Sequence, residues 1–511
     1  MVHSSNPSHN AIRLRNLAII VAPLITLLFL IFVDLDPEHP EITKMAAIAI
    51  LMAIWWITEA IPLAVTALLP VALFPLLGIM TGKKVAPLYF NHVIFLFIGG
   101  FIVALAMEKW SLHKRIALKV ILLMGASPRR ILFGFMFASA FLSMWISNTA
   151  TTMMMVPIVL AIILKLEENI EDVKAHRFAL ALMLGVAYAA SIGGMATLIG
   201  TPPNLSFARI YSIYFPSAPE ISFAAWFAFA LPLSIVFFLL VWGFLSTIFC
   251  PRKSDFSVDG NLLKAEYNKL GPFAYEEKMV LIVFTSMALL WLTRSGISIG
   301  DLKVPGWSAL LQHPKMVDDG TVAIMMALIL FLIPAKGEGG EKIMDWGTVS
   351  KLPWGIVLLF GGGFALAGGF KASGLSLWVG DALAGLGGVQ PAILILAICL
   401  TVTFLTELTS NTATTEMILP ILAGLAIAIK VDPLLLMVPA TLSASCAFAL
   451  PVATPPNAII FGTGRIKVAE MARVGLLLNL IGAVLVTLAI YTSGKAALGI
   501  DLHKIPEYLL K

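Results

Sequence analysis

Apolar residues run in long stretches along most of this 511-residue chain. Each run approaches the roughly 20 residues that a helix needs to cross a bilayer. They lie near 17–33, 43–57, 62–80, 92–108, 178–200, 223–249, 279–293, 321–334, 354–370, 435–460 and 474–492, which predicts about eleven transmembrane helices. The first run is too long for a signal peptide and lacks a small-residue cleavage site. Two further stretches, about 130–164 and 391–429, are each long enough for two short helices, and each is interrupted midway by a polar cluster.

Loop charges orient the spans. Arg13 and Arg15 precede the first run, while Asp34, Asp36, Glu38 and Glu41 follow it. Because basic loops stay inside, the N-terminus (residues 1–16) is expected in the cytoplasm. Counting forward places Lys109, Lys114, Arg115, Lys119, Arg129 and Arg130 on that side. Arg252, Lys253, Lys336, Lys342, Lys351, Arg465, Lys467 and Arg473 fall there too, and the pair Lys83–Lys84 is the exception. This alternation holds only if the interrupted stretches turn back as re-entrant hairpins, the first opening to the cytoplasm and the second to the exterior. The C-terminus at Lys511 is then external.

The two interrupted stretches share a sequence. Residues 147–157 read SNTATTMMMVP and residues 410–420 read SNTATTEMILP, identical at 8 of 11 positions and offset by 263. The same offset relates LFIGGF at 96–101 to LFGGGF at 359–364, and an offset of 253 relates GTPPN at 200–204 to ATPPN at 453–457. Motifs repeated in one order mark an internal duplication. Five spans separate the hairpins, so the halves are expected to be inverted, the arrangement of secondary transporters with broken helices near mid-membrane.

Composition agrees. Residues are 59% hydrophobic and 12% charged, against roughly 25% charged in soluble domains. The three cysteines stand apart, which excludes a disulfide scaffold and a Cys-type zinc site. No H-E-x-x-H, Walker A or G-x-S-x-G pattern occurs, so nothing reads as an enzyme. The net charge of +5 suits loops facing anionic lipid and gives no reason to invoke nucleic acid.

Each Ser-Asn-Thr forces a chain reversal within the bilayer, tolerated only where backbone is buried in protein or lines a wet cavity. Freed N–H groups and helix N-termini attract anions; freed carbonyls and hydroxyls suit a hard cation such as Na⁺. Pro202-Pro203 and Pro455-Pro456 break their helices, leaving the Gly200 and Ala453 carbonyls accessible. Ser143 and Thr406 each lie four residues before their motif, a spacing that predicts Ser143 above Ser147, and Thr406 above Ser410, on one helical face. The glycine runs read as close packing, Met153–Met155 as adaptable packing, and Glu407 and Glu416 as partner-paired. Glu59 is expected to cap or join two spans, and His92 and His113 to sit at span ends.

TEAIP at 58–62, the LHKRIAL region, both Ser-Asn-Thr motifs and both TPPN motifs together resemble the divalent anion:sodium symporter family. The resemblance implies an all-α polytopic membrane protein, a homodimer with fixed scaffold and elevator-type transport domains. On it, one sodium site comprises Ser143, Ser147, Asn148 and Gly200, and the other Thr406, Ser410, Asn411 and Ala453. It implies that Asn148, Thr149, Asn411 and Thr412, with Thr201 and Thr454 nearby, hold the carboxylates. The domain division expected is 17–127 scaffold and linking helices, 128–222 first transport half, 223–353 scaffold with cytoplasmic loop 250–278, 354–464 second transport half, and 465–511 last helix. The function it implies is sodium-driven uptake of C4-dicarboxylates across the plasma membrane. A sodium-independent exchanger, a sulfate or citrate symporter, and an ion channel are the alternatives.

Overall fold

The computed structural model describes residues 9–125, 127–167, 172–250, 260–299, 302–336, 340–501 and 505–509. Arg252, Lys253 and Lys511, which figure in the charge pattern, lie outside the described residues. The first half contains α1 (His9–Phe32), α2 (Pro40–Thr58), α3 (Leu63–Thr66), α4 (Leu69–Leu77), α5 (Gly82–Tyr89), α6 (His92–Lys109) and α7 (Leu112–Met124). It continues with α8 (Pro128–Ser143), α9 (Asn148–Glu167), α10 (Asp172–Met195), α11 (Pro202–Tyr214) and α12 (Phe223–Ile248). The second half has α13 (Gly260–Lys269), α14 (Tyr275–Thr293), α15 (Asp319–Leu332), α16 (Trp346–Val349), α17 (Trp354–Ser373) and α18 (Leu375–Ala382). Then come α19 (Pro391–Thr406), α20 (Asn411–Ala428), α21 (Leu434–Ser443), α22 (Pro455–Phe461), α23 (Val468–Ala489) and α24 (Lys495–Leu498). The described strands are one antiparallel pair, β1 (Ile297–Ile299) and β2 (Leu302–Val304), in the loop after α14.

Helix starts follow local chemistry. Asn91 accepts from Val93 N and Ile94 N at 3.1 and 3.4 Å and opens α6. Ser222 caps α12 through Ala225 N at 3.2 Å, and Asp318 caps α15 through Thr321 N at 2.7 Å. Each satisfies a donor that the first helical turn leaves unpaired. Among the described residues, nine helical segments are long and apolar enough to cross a membrane. Two of them include α9 and α20, the second arms of the interrupted stretches.

One expected span differs. The run at 62–80 is not continuous but splits into α3 and α4, because Pro62 precedes α3 and Pro70 occupies the first turn of α4. The Ala67 carbonyl between them accepts from the Tyr89 hydroxyl at 2.5 Å. Glu59 ends α2 in the left-handed region (φ 47°) and pairs with Arg15 of α1 at 2.5 Å.

Two buried arginines are ion-paired. Buried Arg115 meets Glu277 at 2.7 Å and donates to the carbonyls of Leu270, Gly271 and Pro272. Buried Arg294 meets Asp319 at 2.5 Å. Removing one partner of such a pair leaves an uncompensated buried charge, which costs more than the pair contributes. In the loop before α17, the Lys109 ammonium 2.7 Å away and the Thr348 donors hold the Asp345 carboxyl below the usual carboxylate range.

Packing repeats between the halves. α8 packs on α10 as α19 packs on α21, and α9 on α10 as α20 packs on α21. Each second arm also crosses to the other half: α9 packs on α22, and α20 on α11. The interrupted stretch of one half is therefore braced by the broken helix of the other. The glycine runs serve close approach, as expected: a Cβ on Gly99 of α6 would lie 2.5 Å from the Ala323 backbone of α15.

Candidate functional site

Both Ser-Asn-Thr motifs sit where a helix stops and the chain turns back. α8 ends at Ser143 and α9 begins at Asn148; α19 ends at Thr406 and α20 begins at Asn411. The expected stacking of Ser143 over Ser147, and of Thr406 over Ser410, does not occur, because the helix terminates before the fourth residue. The partner is one residue further on. The Ser143 hydroxyl donates to Asn148 Oδ1, and the Thr406 hydroxyl donates to Asn411 Oδ1 at 2.6 Å. Ser143 and Thr406 are fully buried, whereas Asn148 and Asn411 are half-buried. Ser147 caps α9, accepting from Ala150 N at 3.2 Å, while Ser410 stands at the N-cap of α20 without a side-chain cap bond.

The broken helices supply the second wall. Pro202-Pro203 and Pro455-Pro456 fill the first turns of α11 and α22, with Thr201 and Thr454 at the N-caps. Among the described residues, neither the Gly200 nor the Ala453 carbonyl accepts a hydrogen bond. In the first half the groups converge. A Cβ on Gly194 would lie 2.6 Å from Asn148 Oδ1, and one on Gly200 would lie 2.9 Å from the Ser143 carbonyl oxygen. In the second half Thr406 Oγ1 is also 3.0 Å from the Ala444 carbonyl, at the start of the break that Ala453 ends.

Several supporting residues were not singled out from the sequence. Asn204 Nδ2 donates to the carbonyls of Gly194, Met195 and Thr197, at 3.3, 3.3 and 2.7 Å. Its counterpart at the offset of 253, Asn457, donates to Ala447 and Leu450 at 3.1 and 3.0 Å. These are the asparagines of the TPPN motifs, so their repetition was the available signal. Trp226 Nε1 donates to Met195 O at 3.1 Å, and Asn479, again 253 residues on, accepts from Phe448 N at 3.2 Å.

The halves tie hairpin to break by different means. In the first, the Thr197 hydroxyl donates to the Met144 carbonyl at 2.6 Å. In the second, the residue equivalent to Met144 is Glu407, which accepts from Ala449 N, Leu450 N and Asn479 Nδ2 at 2.7, 2.8 and 2.7 Å. Glu416 accepts from Ser206 at 2.6 Å. Glu407 is thus partnered on both oxygens by neutral donors, whereas Glu416 is partnered on Oε1 alone, its buried Oε2 meeting no donor.

Asn204→Ala would leave three buried carbonyls without that donor, a cost of about 1–3 kcal/mol. The expected result is a lower melting temperature and a smaller stabilisation by sodium, read from thermal melts of the purified variant in sodium and in choline.

The oxygens at the motifs and breaks are hydroxyl, amide and carbonyl. Among the described residues no group of three or more His, Cys, Asp or Glu is placed to hold a metal ion. Neutral oxygens of this kind suit a hard monovalent cation and offer nothing to a soft one. Once Oδ1 of each asparagine faces its hydroxyl, Nδ2 remains as a donor. The Thr149 and Thr412 hydroxyls, at the starts of α9 and α20, form no hydrogen bond among the described residues. Helix N-termini with free donors attract carboxylate.

Comparison with known proteins agrees in extent and kind. The family described as the sodium:sulfate symporter transmembrane region matches residues 12–499. The sodium-dependent dicarboxylate transporter SdcS of Staphylococcus saprophyticus is 45% identical over 505 residues, covering 97% of this chain and 94% of its own. SdcS of Staphylococcus aureus is 45% identical over 494 residues, covering 96% and 93%. Two solved structures share the fold. The YdaH transporter of Alcanivorax borkumensis has a TM-score of 0.51 at 15% identity, covering 84% of this chain and 88% of that one. MtrF of Neisseria gonorrhoeae has a TM-score of 0.53 at 14% identity, covering 92% and 97%.

Proposed function

Because this chain belongs to the sodium:sulfate symporter family, a family of multi-pass membrane transporters, we propose that it couples inward sodium movement to uptake of C4-dicarboxylates such as succinate, malate or fumarate. The observation that carries this reading is the duplicated pair, Ser143 with Asn148 and Thr406 with Asn411, each beside a broken helix with a free carbonyl. Each pair presents two oxygens to one sodium ion and turns an amide NH2 and the Thr149 or Thr412 hydroxyl toward one carboxylate. Thr201 and Thr454 lie at the break that completes each half. The high identity to transporters named for dicarboxylate favours that substrate over sulfate or citrate.

No Lys or Arg occurs in either Ser-Asn-Thr or TPPN motif. The dianion is held by neutral donors, helix ends and the bound sodium ions, so its binding depends on theirs. That dependence is the coupling. Each net positive charge moved inward gains ~2.3 kcal/mol per 100 mV.

The mechanism in this reading is an elevator within a homodimer. α20 packs on α17 and α18, whereas α9 makes no comparable contact with their first-half equivalents α6 and α7. Glu416 is 0% exposed and its repeat equivalent Met153 is 48% exposed. One hairpin is docked and the other released, as expected of a body that slides between two stops. The moving body would comprise α8–α12 and α19–α23, joined at one face by Glu167–Arg465 and His176–Glu470 contacts. α17 packs on α2 to α5, so we place it in the fixed body with α18, and α12 in the moving one. Both boundaries thus shift from the sequence division. With the basic loops inside, the released hairpin opens to the cytoplasm.

The test is uptake of labelled succinate into proteoliposomes. Accumulation driven by an inward sodium gradient, and absent when choline replaces sodium, is the expected result. Equal uptake in choline identifies an exchanger; saturable uptake of sulfate but not succinate identifies a sulfate symporter.

A further inference from the structure

Away from the Ser-Asn-Thr pairs, a cavity of about 240 Å³ opens between α11 and the first turns of α6 and α15. Its walls carry Arg209 of α11, His92 of α6, Asp319 of α15 and Glu220, together with Leu198 and Leu205. Those leucines flank Thr201 and the Pro202-Pro203 break in sequence. None of the Ser-Asn-Thr residues lines the cavity. It therefore lies next to the broken helix without being the site already described. It lies at the end of the bundle opposite Lys109 and Arg465, the face that the charge pattern makes external.

The charges in this cavity are unequally occupied. Asp319 is taken by Arg294 Nε at 2.5 Å and by Phe223 N at 2.7 Å. Glu220 shares the same guanidinium at 3.3 Å. Arg209 has no acidic partner among the described residues. Its Nη1 donates to Ser212 Oγ at 3.2 Å, and its buried Nε has no acceptor. A half-buried guanidinium with open donors in a cavity lined partly by leucine is a strong receptor for carboxylate, because its fork matches the two oxygens. Water of lower local dielectric in such a cleft also extends its reach.

We propose that Arg209 forms an outer anteroom that captures one carboxylate of the incoming dicarboxylate before the anion reaches the Asn148 and Asn411 amides. This rests on the transport reading above. Arg209 stands at this end of the bundle, so it acts on entry from that side and on release to it. Glu220 lines the cavity and is exposed, while Leu198 and Leu205 line it and are buried.

The test is the concentration dependence of labelled succinate transport in both directions across proteoliposomes of known orientation, at fixed saturating sodium. With sodium equal on both sides and no membrane potential, kcat/KM must fall by the same factor in both directions; Arg209→Gln is expected to lower it about tenfold, and for entry from the Arg209 side the fall appears in KM, with kcat within about twofold. Arg209→Lys keeps the charge and loses the fork, so an intermediate KM on that side is expected. An unchanged KM on the Arg209 side, or a loss there confined to kcat, overturns the proposal. If Arg209→Gln does not yield folded protein, Arg209→Lys decides by the same readouts. Sodium dependence of the unaltered protein is measured in parallel. Its absence would defeat the transport reading itself, whereas its presence with an indifferent Arg209 would defeat only the anteroom.

Discussion

Asn148→Ala is expected to lower sodium-driven succinate uptake at least about hundredfold, and Asn411→Ala to do the same independently. In the proposed site each asparagine serves twice. Its Oδ1 is paired with a fully buried hydroxyl, Ser143 or Thr406, where two oxygens would share a cation. Its Nδ2 remains to meet a carboxylate. Alanine removes both contacts in a water-poor site, at about 1–3 kcal/mol for each polar partner lost, and two such losses amount to roughly a hundredfold. Initial uptake rates in proteoliposomes check this. Melting of each variant without sodium should stay near that of the parent, because the hydroxyl left behind is at a helix end and can turn to a backbone carbonyl. A variant that transports normally would remove the asparagines from the site.

The second large effect concerns a single hydrogen atom's worth of space. Gly200 and Ala453 occupy equivalent positions, yet they are not interchangeable. A Cβ on Gly200 would meet the Gly194 carbonyl oxygen at 2.5 Å and the Ser143 carbonyl oxygen at 2.9 Å. Both are backbone atoms that cannot swing aside. Gly200→Ala must therefore shift the break against the hairpin and displace the carbonyl proposed to face the first sodium. The expected result is at least a tenfold rise in the sodium concentration for half-maximal uptake. Ala453→Gly, by contrast, is expected to stay within about twofold, since its backbone already accommodates the larger residue. Sodium activation curves at saturating succinate measure both. Equal effects in the two halves would mean that the first site tolerates what its packing forbids.

Much of this architecture was legible along the chain because membrane spans announce themselves by length and apolarity. The two interrupted stretches stood out for the same reason, as Ser-Asn-Thr is a polar cluster where apolar residues were due. The split of 62–80 was less visible, since Pro62 and Pro70 are apolar in composition and break a helix only through backbone geometry. The pairing of Ser143 with Asn148 was missed because the four-residue rule presupposes a continuing helix, and the helix ends at Ser143. A reversal brings the fifth residue back instead.

The supports of the breaks were hidden for another reason. Trp226 reaches Met195 and Asn479 reaches Glu407 from spans that lie 31 and 72 residues away. Such distances carry no periodic signal. Glu407 and Thr197 show how chemistry diverges under one geometry: a carboxylate accepting backbone N–H groups in one half replaces a hydroxyl donating to a carbonyl in the other. Asn204 and Asn457 remained the same residue in both halves, and their roles remained the same.

The central claim is that sodium and dicarboxylate share one neutral-walled site, so that neither anion binding nor coupling survives without the cation. Equilibrium binding of labelled succinate to the purified protein, in sodium and in choline at equal ionic strength, tests it most directly. Saturable binding in sodium, vanishing in choline and in Asn148→Ala and Asn411→Ala alike, is the predicted result. Succinate binding of equal affinity in choline, or retained in either variant, would contradict it.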